Sequence, residues 1–448
     1  MQTELDWSAY DSYGAGDAYA QLPARGGGFG KAASVCIGNR QCQRDGNGVM
    51  CPSFRVTGDP AHSTFHRAQM LKAALNGELG ASPFAGAELD AAMDLCVGCK
   101  GCKRECPNGT DMALLRTEAR AQRWRAAGRV PLRARLFASL PRWLPAMRWL
   151  GGPRRLLAAL PGMSSLLERV TGIAARRSLP APPARAFLHE SRAGVAGAEG
   201  LREVVLLVDT FSDRIDPAIA EAAVDVLVAA GCRVHLLRPP AGERALCCGR
   251  TWLSQGMVAE ARREAVRMLD ALSPFVERGL PVIGLEPSCL LMLRDEYHAL
   301  GLGERLGPAA KAALLFEEFL ARELDAGRLS LDLAMPAGSR AAIHGHCHQK
   351  AFGAMKAVRR VLARVHGLEA QFIESGCCGM AGSFGFEAEH YDISMRMAEL
   401  ALLPAVRALD EAAVVVANGA SCRHQIRDGA QREGVHLAVL LRQALRPA

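Results

Sequence analysis

The sequence predicts a multidomain α+β protein, in which a helical, cysteine-bearing segment precedes two repeated α/β domains with parallel sheets. Three observations carry that expectation. Residues 96–107 read Cys-x2-Cys-x2-Cys-x3-Cys-Pro, a compact metal-binding run. Residues 201–448 repeat one strand–helix order twice, each copy with a Cys-Cys-Gly turn and a later cysteine. Short apolar strands alternating with amphipathic helices across short turns favour parallel pairing.

Composition bounds the function. Half of the 448 residues are hydrophobic and 22% are charged, an ordinary globular balance with ample core material. The net charge of +8 and aromatic content of 5%, with no recognised nucleic-acid module, argue against nucleic-acid binding. The N-terminus shows no basic stretch leading into an apolar core, and no apolar run is long enough to span a bilayer. A soluble, cytoplasmic protein in a reducing compartment is expected. Fifteen cysteines there point to metal or redox chemistry rather than structural disulfides. Packing accounts for Cys232 in AAGCRV, but the other cysteines fall almost entirely in tight motifs.

In chain order, residues 1–30 read as a tail or linker, and residues 31–125 as an α-helical ferredoxin-like domain with seven cysteines and a helix over Thr64–Leu79. Residues 126–200 form a basic connector (PRWLPAMRWLGGPRRLL), residues 201–335 the first α/β domain and residues 336–448 the second. The first copy is expected as strand 203–209, helix 217–230, strand 233–237, the turn Cys247-Cys248-Gly249, helix 259–272, strand 281–286 and Cys289. The second repeats this as strand 340–345, helix 355–365, strand 370–373, Cys377-Cys378-Gly379, helix 391–402, strand 412–418 and Cys422. Cysteines at strand ends occupy the usual ligand crevice of such sheets.

The run Cys96, Cys99, Cys102, Cys106-Pro107 matches the bacterial [4Fe–4S] spacing, in which the fourth cysteine serves a neighbouring cluster. Zinc ribbons use two separated knuckles instead. Upstream, Cys36-Ile-Gly-Asn39-Arg-Gln-Cys42 precedes Cys51-Pro52. Cys51 mirrors Cys106 and is expected to complete the cubane site of Cys96, Cys99 and Cys102. Cys36, Cys42 and Cys106 would hold a second cluster, but Asn39 stands at its middle ligand. A non-cysteine ligand, a three-iron cluster and no second cluster all remain open.

Vicinal cysteines make strained disulfides but can offer two thiolates from one turn. In the second copy Cys347, Cys377, Cys378 and Cys422, flanked by His346 and His348 in HGHCHQK, read as a metal or cluster site, with zinc a second option. The first copy offers Cys247, Cys248 and Cys289 without a counterpart of Cys347, and reads as vestigial.

The stretches CIGNRQC, VMCPSFRVT, HSTFHRAQML and CVGCKGCKRECP resemble the iron–sulfur portion of FAD-linked D-2-hydroxyacid dehydrogenases, of D-lactate and D-2-hydroxyglutarate type. They also resemble the glycolate oxidase and anaerobic glycerol-3-phosphate dehydrogenase iron–sulfur subunits. ALCCGRTWLSQG, GLEPSCLLMLRDEY, HGHCHQKAF and ESGCCGMAGSFGFEAEHY continue the likeness, and the paired Cys-Cys-Gly domains are similar to those of heterodisulfide reductase. That resemblance implies a noncubane [4Fe–4S] cluster on five cysteines. Cys347, Cys377, Cys378 and Cys422 match four, with Gln425 at the fifth; the first copy has Met292 there. It also implies a FAD-binding dehydrogenase subunit on another chain, because no G-x-G-x-x-G follows a strand here. Electrons would pass through this chain to a quinone or another carrier. A thiol/disulfide reductase and a zinc-stabilised docking protein are the alternatives.

The Arg- and Trp-rich connector suits either peripheral contact with an anionic membrane face or a solvated wrap over the sheets. Pro141, Pro145 and Pro153 are expected to interrupt any long helix in it.

Overall fold

The structure, a computed structural model, describes all residues except 18–21, 45, 47, 148–161, 181–184, 192–193 and 447–448. Among the described residues before 126 there are only helices, turns and loops, with Thr64–Asn76 and Met112–Ala127 the longest helices. The first of these stops short of Leu79 because Gly77, at φ +86°, takes the left-handed cap and bonds back to the Ala73 and Ala74 carbonyls. The second carries buried Glu118, whose carboxylate accepts the Leu5 N–H at 2.8 Å, the Glu4 N–H at 3.0 Å and the Trp7 indole N–H at 3.2 Å. Residues 4–7 therefore pack as part of the helical segment rather than trailing as a linker. Trp7 is buried with its ring centroid 5.1 Å from that of Phe29.

The first sheet comprises β1 (Val195–Ala196), β2 (Arg202–Leu207), β3 (Cys232–Leu236), β4 (Val282–Gly284) and β5 (Ala313–Leu315), in order β1-β3-β2-β4-β5. All its pairs are parallel except the short edge strand β1 on β3. The second comprises β6 (Ala334–His344), β7 (His366–Phe372), β8 (Val414–Ala417) and β9 (Gly434–Val435), in order β7-β6-β8-β9 and all parallel. The two sheets share one topology, with β2 and β6 at the points where strand order reverses. β1, β5 and β9 are strands the sequence reading does not include. β6 starts earlier than expected because a register irregularity between Ala334 and Ser339 lets the strand continue along β7.

Strands buried on both faces explain the unbroken apolar runs: Val204, Val205 and Leu206 are fully buried, as are Val415 and Val416. The halves share a core in which Val226 and Leu227 of helix Pro217–Ala229 join Leu440 and Leu441 of helix Leu437–Ala444. The connector forms the short helices Leu132–Ala138, Leu140–Met147 and Met163–Thr171, with Pro145 inside the second. Trp149, Pro153, Arg154 and Arg155 lie outside the described residues. Among the described residues no helix is long and apolar enough to cross a membrane.

Candidate iron–sulfur and cysteine-rich sites

Two loops and one helix end present the first group of sulfurs. Lys100 at φ 61° turns the chain so that Cys99 and Cys102 flank the start of helix Gly101–Glu105. Cys51 sits at φ 51°, an unusual conformation for a side-chain-bearing residue, immediately before Pro52 opens helix Pro52–Thr57. The N-terminus of Thr64–Asn76 points at both upstream thiols: the Thr64 N–H donates to Cys51 Sγ at 3.1 Å and the Phe65 N–H to Cys42 Sγ at 3.3 Å. Unsatisfied amides at a helix start favour negative charge, so these donors suit thiolates bound to iron.

The sulfurs shift one another's ionisation. Burial raises Cys99 and Cys102, and Cys102 feels Cys51 and Cys96. Burial likewise raises Cys36, which feels Cys106. Contact with Cys51 lowers Cys42 to about 7, so the structure joins Cys42 to Cys51 as well as to Cys36. Asn39 stands beside Cys106: its Nδ2 is 3.7 Å from Cys106 Sγ and donates to Asn108 Oδ1 at 2.7 Å. Burial would raise Cys106, but the Asn108 amide and Asn39 outweigh it and lower the thiol.

Lys100 is buried among Asp111 at 2.8 Å, Asp295 at 2.8 Å and Glu296 at 3.4 Å. Glu296 also pairs with Arg250 at 2.6 Å, just beyond the first Cys-Cys-Gly turn. The web ties the cubane loop to the first α/β half, and its members escaped sequence reading although Lys100 lies inside the motif.

The second group sits at the reversal point of the second sheet. His346 caps the helix after β6, its Nδ1 accepting the His348 N–H at 3.1 Å. Asp209 does the same after β2 in the first sheet, accepting the Phe211 N–H at 2.9 Å. Counting from the two caps in sequence, Thr210 corresponds to Cys347 and Asp213 to Lys350. Cys347 and Cys377 lie close enough to perturb each other's ionisation, as do Cys378 and Cys422. His348 contacts the Gly98 carbonyl through Nε2 at 3.2 Å, leaving buried Nδ1 without a partner; His344 Nε2 is likewise buried and unpartnered. Gln425 is fully buried, its amide donating to Ser394 O at 3.1 Å while its oxygen has no partner. Met292 is core.

In the first copy Cys247, Cys248 and Cys289 are buried together. Burial and then Glu286 push Asp209 up to about 6. A cavity of about 150 Å³ joins the two reversal points, with Cys248, Cys289, His348, Cys377 and Cys378 on its walls and Cys96 of the cubane loop reaching it. Val49, Cys99, Cys347 and Cys377 pack as one small apolar cluster between the cubane loop and the second half.

The donor set fits clusters better than a single ion. Four sulfurs on one zinc at about 2.3 Å would stand about 3.8 Å apart. Among the described residues, no three cysteine sulfurs lie within 4.8 Å of one another; the one trio that does is Glu387, Glu389 and His390.

Residues 32–110 match the 4Fe–4S dicluster domain and residues 341–427 the cysteine-rich domain. The chain therefore carries a segment of 4Fe–4S dicluster type and one of cysteine-rich type. The family read from its sequence is the one these comparisons return. D-2-hydroxyglutarate dehydrogenase of Pseudomonas putida is 26% identical over 93% of this chain and 44% of its own length. A subunit of the anaerobic glycerol-3-phosphate dehydrogenase of Escherichia coli K12 is 29% identical over 64% of this chain and 70% of its own. Lactate utilization protein A of an Exiguobacterium species is 25% identical over 55% of this chain and 99% of its own. The chain thus spans less than half the length of the D-2-hydroxyglutarate dehydrogenases it matches.

A buried histidine clamps the iron–sulfur segment to the second half. His390 bonds Glu387 at 2.7 Å and, across the interface, Asp94 at 2.8 Å. Burial alone would lower it, but these two carboxylates raise it to about 9. Being raised above about 6.5, its unfolded value, it stabilises fully below that pH and loses the contribution as pH rises through about 9. The clamp is predicted to weaken between about pH 6.5 and about 9, seen as faster limited proteolysis between the two parts. His390→Gln should abolish that pH dependence; an unchanged profile would show that the clamp does not set it.

Proposed function

We propose that this chain is the electron-transfer component of a flavin-linked D-2-hydroxyacid dehydrogenase system, with the FAD on a separate subunit. The observation that carries the reading is the apolar cluster of Val49, Cys99, Cys347 and Cys377, which brings the cubane loop against the second cysteine set. When bound, iron–sulfur groups supply one-electron carriage between flavin and acceptor. Cys51, Cys96, Cys99 and Cys102 are proposed as one ligand set. Cys36, Cys42 and Cys106, with Asn39 beside them, are proposed as a second. Cys347, Cys377, Cys378 and Cys422 hold a noncubane group in this reading, with His346 and His348 orienting the loop. Cys247, Cys248 and Cys289 are left as a structural remnant, because Thr210 offers no thiolate.

The chain's own residues prepare these sites. Helix Thr64–Asn76 aims amides at Cys42 and Cys51, and the charge web around Lys100 fixes the loop against the first half. The cavity between the vicinal cysteine pairs is the observation favouring a disulfide reductase. The zinc-stabilised docking reading is disfavoured by the sulfur spacing.

On chain purified without oxygen, dithionite should generate a cubane EPR signal that Cys102→Ser abolishes and Cys289→Ser leaves unchanged. A signal that survives Cys102→Ser would contradict the ligand assignment.

The same reading places the chain against an anionic membrane face. Residues 129–177 contain ten arginines and one acid, Glu168. Helix Met163–Thr171 buries none of its residues, and Leu166, Leu167 and Val170 are exposed. Apolar side chains beside arginines suit the lipid interface. The chain should co-sediment with phosphatidylglycerol vesicles, less so at high salt and in Leu166→Glu/Leu167→Glu. Equal sedimentation of the double variant would count against this face.

A further inference from the structure

The resemblance asks for five cysteines in the second half, and the chain supplies Cys347, Cys377, Cys378 and Cys422, with Gln425 at the fifth place. We propose that His344, at the end of β6, provides the missing ligand through Nε2. The inference rests on the reading that this cysteine set holds an iron–sulfur group, and it names a ligand that the reading lacks.

The first argument is the cost of the residue. His344 is the last residue of β6 and only 2% exposed. The last residue of β2, at the same place in the first half, is Leu207, equally buried. An apolar side chain therefore fits this position, and an imidazole there costs its desolvation unless both nitrogens are used. Nδ1 is used: it lies 2.9 Å from Ser375 Oγ, which also receives the Lys350 ammonium at 3.2 Å and donates to the Ile373 carbonyl at 3.4 Å. The hydroxyl has a single proton and the carbonyl takes it, so Nδ1 donates to Ser375 and Nε2 keeps its lone pair. Nε2 is buried and has no hydrogen-bond partner among the described residues. A ring held through one nitrogen, with the other bare, is the arrangement of a metal-ligating histidine.

The second argument is location. His344 pairs across the sheet with Ala417, and Ala417 packs in one cluster with Cys378 and Cys422. The His344 ring and the Cys378 thiol also shift each other's ionisation. Nε2 and any two of the four sulfurs do not all lie within 4.8 Å of one another, which suits ligands spread around several irons rather than one ion. His348 has a bare nitrogen too, but its ring is tied to the Gly98 carbonyl of the cubane loop and its neighbouring thiol is Cys347. Gln425 turns its amide to Ser394 and offers only an oxygen, a harder donor than imidazole. Imidazole replaces thiolate on iron in some iron–sulfur centres.

The test reads iron, sulfide and pulsed EPR together on the full chain purified without oxygen. The iron and signal that Cys378→Ser removes define the second-half group. On that signal the coupling of a directly bonded nitrogen is expected, and it should change its isotope pattern in chain grown with histidine labelled in heavy nitrogen. His344→Leu, which installs the first half's residue, should lose the coupling and the Cys378-dependent iron. His344→Cys should keep that iron and lose the coupling. His366→Ala, exposed on β7, should change neither. Cys378-dependent iron without a histidine coupling, or a coupling that survives His344→Leu, would overturn the proposal and leave the electron-transfer reading standing. A coupling lost in His348→Ala and retained in His344→Leu would overturn it in favour of His348. Absence of any Cys378-dependent iron would overturn the loading of the second half, and the ligand with it.

Discussion

The arrangement depends on a buried ammonium. Lys100 projects from the middle of the cubane loop into a pocket of Asp111, Asp295 and Glu296, with Lys103 and Arg250 completing the charge balance. Removing one member of such a network leaves an uncompensated charge in the interior, which is far costlier than losing a surface pair. The loop is consequently held at one position relative to the first α/β half. From that position Cys99 meets Cys347 and Cys377, and Gly98 receives His348. The convergence of three cysteine-bearing segments follows from where one lysine is anchored.

The two α/β halves show how one topology diverges at the same crevice. Both reverse strand order beside their longest inner strand, and both cap the following helix with a side chain that accepts a backbone N–H. In the second half that cap is a histidine followed by cysteine; in the first it is an aspartate followed by threonine. The first half consequently meets the cavity with carboxylates, Asp209 raised to about 6 and Glu286 capping the helix of Cys289, where the second presents thiols and imidazoles. The same half also supplies Asp295 and Glu296, the carboxylates that frame Lys100 and Arg250.

Much of this was readable before any coordinates. The Cys96–Pro107 run, the two strand–helix repeats and the position of each Cys-Cys-Gly turn follow from spacing and local periodicity. Boundaries moved where a backbone feature intervened, as at Gly77 and at the irregular start of β6. What spacing could not show was contact between segments far apart in the chain. Nothing local to Cys99 marks Cys347 as its neighbour, and nothing local to Trp7 marks Glu118 as its anchor. Asn39 shows the middle ground: the sequence flagged it as a missing ligand, and only the fold placed its amide against Cys106.

Iron and acid-labile sulfide per chain, measured on protein purified without oxygen, test the central claim most directly. The account predicts at least about four irons with matching sulfide for the set of Cys51, Cys96, Cys99 and Cys102, and more if the second α/β half is loaded. Zinc in place of iron, or no iron after anaerobic reconstitution, would contradict it.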